Sequence, residues 1–98
     1  MMPKDNILRG ILLEFLRKVY PEGAEKKTII SIFYQYHKTE DISTSLEYLT
    51  DKKYIHKKEH PHPYIKQEAI LWYKITPEGI DLIEGNIKAD PGILIQRG

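Results

Sequence analysis

The chain has 98 residues, 41% of them hydrophobic, with 15 Lys and Arg against 14 Asp and Glu and a net charge of +1. That suffices for one domain around one core, and the absence of cysteine excludes a disulfide framework, a thiolate metal site and a cysteine nucleophile. No apolar run approaches the roughly 18 residues of a membrane span, and Met1 to Arg9 lacks the basic-then-apolar order of a signal peptide, so a cytoplasmic protein with no membrane partner is expected.

Asp5 or Asn6 is expected to cap a first helix. Along it Ile7, Ile11, Phe15 and Val19 recur every four residues beside a parallel row of Leu8, Leu12 and Leu16. The apolar arc covers about half the helix, wider than the roughly 100° stripe that faces one core. Such a helix is either buried on two sides or shared with a second subunit. Pro21-Glu22-Gly23 ends it. Ala24 to Lys27 reads as a connector, with room for a bridge of strand. Thr28 is then expected to cap a second helix from Ile29 to about His37.

After a short turn comes the stretch that organises the chain, Thr39 to Ile55. Thr39 is the expected cap. Glu40 and Asp41 suit the positive end of the helix dipole, and Lys52 and Lys53 the negative end. Ile42, Leu46 and Leu49 fall on one face of a 3.6-residue period. The opposite face holds Glu40, Ser43, Thr44, Glu47, Tyr48 and Asp51. Tyr54 to His60 and Ile70 to Thr76 follow as two strands. Between them lies a long loop bent by Pro61 and Pro63. In the second strand Leu71, Tyr73 and Ile75 alternate with Ile70, Trp72 and Lys74. Thr76-Pro77-Glu78 opens a fourth helix, with Thr76 as cap and Pro77 where a missing N–H costs nothing. Gly85 closes it. Residues 1–86 are thus expected to form one domain. Residues 87–98 form a tail whose Ile93-Leu94-Ile95 either packs on that domain or pairs with another chain.

The predicted order is helix, helix, helix, strand, loop, strand, helix: an α+β winged helix-turn-helix with a three-helix core, a two-stranded wing and a C-terminal helix. Three segments sharpen it: Ser45-Leu46-Glu47-Tyr48-Leu49, Lys53-Tyr54-Ile55, and Trp72 to Ile80 with its Thr76-Pro77-Glu78-Gly79 step. With these the chain, from about Ile7 to Gly85, resembles winged-helix transcriptional regulators of the PadR and MarR type. The resemblance implies that the third helix enters a major groove, that the wing touches the DNA backbone or minor groove, and that the protein is a homodimer. Such regulators usually dimerise through long additional helices. Here only the first helix or the short tail remains for that.

The third helix and the wing differ in charge. The exposed face of the third helix carries Glu40, Glu47 and Asp51 and no arginine, and carboxylates repel phosphates. The wing is the basic element: from Lys52 to Lys66, Lys52, Lys53, Lys57, Lys58 and Lys66 stand against the single acid Glu59, with His56, His60 and His62 among them. A face of that kind suits nucleic acid; the plainer reading of such a run is a solvated hairpin. The three histidines also invite a zinc site. The mixed Cys/His spacings are absent, however, and the prolines restrict His62, so exposed wing histidines are expected. Trp72 and Tyr73 could stack on bases, though Tyr73 reads as core. No phosphate loop, nucleophile elbow or metalloprotease pair is present, and neither an enzyme nor a cofactor is expected.

The expected function is therefore a small DNA-binding regulator of double-stranded DNA. Ser43, Thr44 and Tyr48 would read the major groove from helix 39–53. Lys52, Lys53, Lys57, Lys58, His62 and Lys66 would meet the backbone, chiefly from wing 54–76. The alternative is a winged-helix protein-interaction module that docks through the acidic third helix, the broad first helix or the tail.

Overall fold

The structure, a computed structural model, describes residues 3–96. The chain runs α1 (Pro3–Lys18), β1 (Ala24–Glu25), α2 (Lys26–Phe33), α3 (Thr39–Asp51), β2 (Ile55–Pro61), β3 (Ala69–Ile75) and α4 (Pro77–Glu84). It is an α+β fold in which the described residues form four helices and a small antiparallel sheet, an order compatible with a winged-helix layout. The sheet has three strands, in the order β1-β3-β2, rather than the two expected of the wing. The connector after α1 supplies the third: Ala24 lies opposite Tyr73 and Glu25 opposite Trp72. Gly23, at φ 79°, turns the chain into that strand, and a Cβ there would run into the Tyr73 carbonyl and the Trp72 indole. No described helix is long and apolar enough to cross a membrane.

The helix starts depart from the expected caps in a consistent way. An N-cap needs extended backbone angles, and these fall one or more residues upstream of the threonines. Lys38 (φ −66°, ψ 142°) precedes α3, so Thr39 is its first helical residue. Glu25 precedes α2, because the chain passes from β1 straight into the helix, and Thr28 lies inside it. Neither helix has a side-chain cap. Asp5 and Asn6 likewise lie within the first turns of α1. α2 stops at Phe33, short of His37, and residues 34–38 make the turn to α3. The Thr76 cap is present, its hydroxyl accepting from the Gly79 N–H at 3.1 Å, and Gly85 closes α4 at φ 78°.

The core is built from one ridge of each helix and the inner face of the sheet. Leu8, Leu12, Leu13 and Leu16 of α1 meet Ile29 of α2, Ile42, Leu46 and Leu49 of α3, and Tyr73 and Ile75 of β3. Each of these is at most 2% exposed. The second apolar row of α1, Ile7, Ile11, Phe15 and Val19, is only half-buried. Phe15 packs edge-on against Phe33, ring centres 5.6 Å apart.

The tail lies along α1 on the ridge of Asn6, Gly10 and Glu14. Leu94 N–H donates to the Asn6 carbonyl at 3.0 Å. Asn6 Nδ2 donates to the Pro91 carbonyl at 3.1 Å, and Gln96 N–H to the Glu14 carboxylate at 3.2 Å. A glycine is required at position 10, because a Cβ there would overlap the Leu94 carbonyl. Ile93 enters the core at 5% exposure, while Leu94 remains 48% exposed.

Candidate nucleic-acid interface

α3 ends in a way that dictates how the wing begins. Lys53 adopts φ 69°, the left-handed conformation that usually belongs to glycine. Its N–H donates to Thr50 O at 3.0 Å, and Tyr54 N–H reaches back to Leu49 O at 3.1 Å. This pair of bonds closes the helix, so the expected helix 39–53 stops at Asp51 and Lys53 is the pivot into β2. Thr76 Oγ1 then donates to the Lys53 and Tyr54 carbonyls at 2.8 and 3.0 Å and joins the base of β2 to the end of β3.

The register of the hairpin sorts its side chains between two faces. Ile55, Lys57 and Glu59 pair with Ile75, Tyr73 and Leu71 on the inner face; His56, Lys58 and His60 pair with Lys74, Trp72 and Ile70 on the outer one. Adjacent lysines therefore have different surroundings. Lys57 Nζ lies 3.3 Å from the Glu47 carboxylate of α3, which also accepts from the Tyr73 hydroxyl at 3.4 Å. Burial first, and then the Glu47 charge, push the Tyr73 hydroxyl up to about 12. Among the described residues no ion-pair partner meets Lys58, Lys66 or Lys74.

The residues expected to read DNA from α3 are not equally available. Ser43 is half-buried. Thr44 is exposed, but its hydroxyl proton is given to the Glu40 carbonyl at 2.9 Å. Tyr48 faces α1 and the tail, with the Arg9 guanidinium stacked 3.7 Å from its ring centre. Lys52 lies 3.1 Å from Asp90 of the tail. The outward face is left to Glu40, Glu47 and Asp51, all exposed.

Asp90 is the anchor of that neighbourhood. It accepts from the Tyr54 hydroxyl and the Gly92 N–H, each at 2.8 Å, as well as from Lys52. Burial alone would raise its carboxyl; the Gly92 N–H, the Tyr54 hydroxyl and Lys52 outweigh it and bring it below its ordinary value. Conversely, burial and then the bond to Asp90 push Tyr54 up to about 12, and hydrogen bonding to Asp90 followed by its charge raises Lys52.

The tip of the wing is shaped by His62. Its Nδ1 accepts from the N–H groups of Tyr64 and Ile65, both at 3.0 Å. This holds Tyr64, 89% exposed, and Ile65, 46% exposed, at the end of the hairpin next to exposed Lys66. Lys27, at the start of α2, lies 3.9 Å from Glu68 on the same loop. His62 thus acts through the loop backbone. Among the described residues no three His, Asp or Glu side chains are grouped as metal ligands.

On the outer face Trp72 donates its indole N–H to the Glu22 carbonyl at 2.8 Å. Around it an open groove of about 520 Å³ is lined by Glu22, His56, Lys58, His60, Ile70 and Lys74. Lys74 and Tyr64 were not among the sequence candidates. The alternation of Ile70, Trp72 and Lys74 carried the signal for the first; nothing local marked the second. Comparison with protein-family models, with curated proteins and with solved structures found no match to this chain.

Proposed function

We propose that this chain is a winged-helix DNA-binding protein, of the kind that PadR- and MarR-type regulators exemplify, and that it holds duplex DNA chiefly with its wing. The observation that carries this reading is the tip of the hairpin. Tyr64, Ile65 and Lys66 project from a loop braced by His62, and Lys58 has no acidic partner among the described residues. A lysine-bearing hairpin end with an aromatic and an apolar side chain suits backbone contact and entry into a minor groove. The recognition role expected of α3 is reduced to Ser43 and Thr44 at its N-terminal half, next to carboxylates that disfavour phosphate. A homodimer belongs to this reading. The half-buried Ile11 and Phe15 of α1, beside Ile32 of α2 at 45% exposure, offer it a face.

The test is binding to a mixed duplex library at two salt concentrations, with the bound fraction sequenced. Wild-type protein is expected to bind with strong salt dependence. Lys58→Ala with Lys66→Ala should flatten the salt slope by up to about two units on every sequence. An unchanged slope would remove the wing from the interface. The acidic face of α3 supports a second reading, a module that docks basic protein partners. Failure to bind any duplex at low salt would leave that reading standing in place of the first.

A further inference from the structure

Every described lysine and histidine of β2 and β3 except Lys57 is on the outer face of the sheet, which the helical core does not cover. There the cross-strand pairs His56–Lys74, Lys58–Trp72 and His60–Ile70 follow one another and frame the groove over the indole. Trp72 is the only tryptophan of the chain. It is half-buried on this face and lines the open groove with part of its ring. Its ring is also held in one plane, because the N–H is bonded to Glu22 and the ring edge passes over Gly23.

We propose that this groove binds a single-stranded or unpaired nucleotide, its base stacked on Trp72 and its phosphates beside Lys58 and Lys74. This rests on the nucleic-acid reading above and names a second substrate class for it. Three features select the ligand. The indole supplies a preoriented π-face, which any base can meet. Two ammonium groups without an acidic partner among the described residues lie beside that ring, Lys58 directly across from it on β2 and Lys74 two residues along β3 on the same face, within reach of a backbone phosphate flanking a stacked base. The imidazoles of His56 and His60 extend the same row as further donors. The carboxylates on this face are on the other side: Glu22, whose backbone carbonyl accepts the indole N–H, and Glu25, opposite Trp72 on β1. Charge therefore runs from acidic to basic across the indole. That polarity fits a base on the ring with its phosphate toward β2 and the Lys74 end of β3. An apolar ligand would find no use for the lysines, and an inorganic anion none for the indole.

The single tryptophan makes the test direct. Wild-type protein is titrated with a short oligothymidylate and, separately, with a blunt duplex, following Trp72 emission together with the anisotropy of labelled DNA. The single strand is expected to bind and to quench Trp72. Trp72→Ala should weaken single-strand binding by about tenfold or more, with duplex affinity changed less than about twofold. Trp72→Phe should recover part of the loss. Lys74→Ala, at a residue outside the proposed duplex contacts, should weaken single-strand binding several-fold with duplex affinity changed less than about twofold and the fold intact by circular dichroism, which keeps the test decisive if Trp72→Ala fails to fold; unchanged single-strand binding in Lys74→Ala would overturn the proposal. Single-strand binding without any change in Trp72 emission would overturn the proposal, as would equal affinity in the Trp72 variants. Duplex binding with no single-strand binding would overturn it and leave the wing reading intact. Binding to neither would end both.

Discussion

Asp90→Ala removes the acceptor on which the tail hangs. Its carboxylate is 8% exposed and is shared by the Tyr54 hydroxyl, the Gly92 N–H and Lys52. A hydrogen bond to a charged group contributes about 1.5–3 kcal/mol. Losing two of them, with the Tyr54 hydroxyl left in a site that is 7% exposed, destabilises by about 2–4 kcal/mol, since such losses overlap and do not add. The Lys52 ammonium is open to water and is simply rehydrated. For a domain of this size the loss corresponds to a fall in Tm of roughly 10–25 °C. Denaturant unfolding followed by Trp72 emission reads the whole domain, and hydrogen exchange at the Leu94 amide reads the tail. Both should weaken in the variant. The pH dependence gives a second handle. The folded-state carboxyl is brought below its ordinary value of 3.8, so its stabilisation is complete above that value and is lost as pH falls through the lower folded-state one. The variant should lose that part of the acid transition. A loss below about 0.5 kcal/mol, within the range of ordinary surface substitutions, with Leu94 exchange unchanged, would refute the view of Asp90 as an anchor.

Lys53→Gly should raise stability by about 0.5–1 kcal/mol, because a non-glycine residue at φ 69° bears a left-handed penalty of roughly 1–2 kcal/mol that the glycine's extra chain entropy only partly cancels. It would be read as a higher denaturant midpoint at unchanged slope. At the alkaline end, Tyr54 and Tyr73 are both pushed from 10.0 to about 12. The unfolded chain then releases protons that the folded one keeps, so stability should fall as pH rises from about 10 to about 12. Tyr54→Phe should reduce that slope in a pH series of unfolding curves.

Much of the element order was legible because it is local. The Ile42, Leu46 and Leu49 period and the Leu71, Tyr73 and Ile75 alternation each need only a short window. The helix starts were less so. Thr28 and Thr39 have the right chemistry for a cap, but backbone angles decide which residue occupies that position, and those depend on where β1 ends and where the turn after Phe33 releases the chain. The candidate site divided in the same way. That Lys57 and Lys58 face opposite sides follows from strand alternation alone. That Glu47 meets Lys57, or that Asp90 meets Lys52 and Tyr54, does not, since no sequence pattern marks a contact between residues up to 38 positions apart. The helical wheel puts Tyr48 on the free face of α3, and Lys52 stands with the backbone-contacting lysines; the tail, which no helical wheel includes, lies beside both.

Glu47 has a mechanical consequence. By meeting both Lys57 of β2 and Tyr73 of β3, it joins the two wing strands to α3 two residues beyond the Ile55–Ile75 pair at their base. The hairpin therefore meets α3 at two places, through the bonds that close the helix at its base and through Glu47. The ladder continues to the Pro61 and Ala69 pair, so compliance is confined to the few residues beyond it, around His62. A load applied at Tyr64 is transmitted along the hairpin into α3 and from there into Leu46 and Leu49. Whatever grips the tip of the wing is thereby coupled to the core.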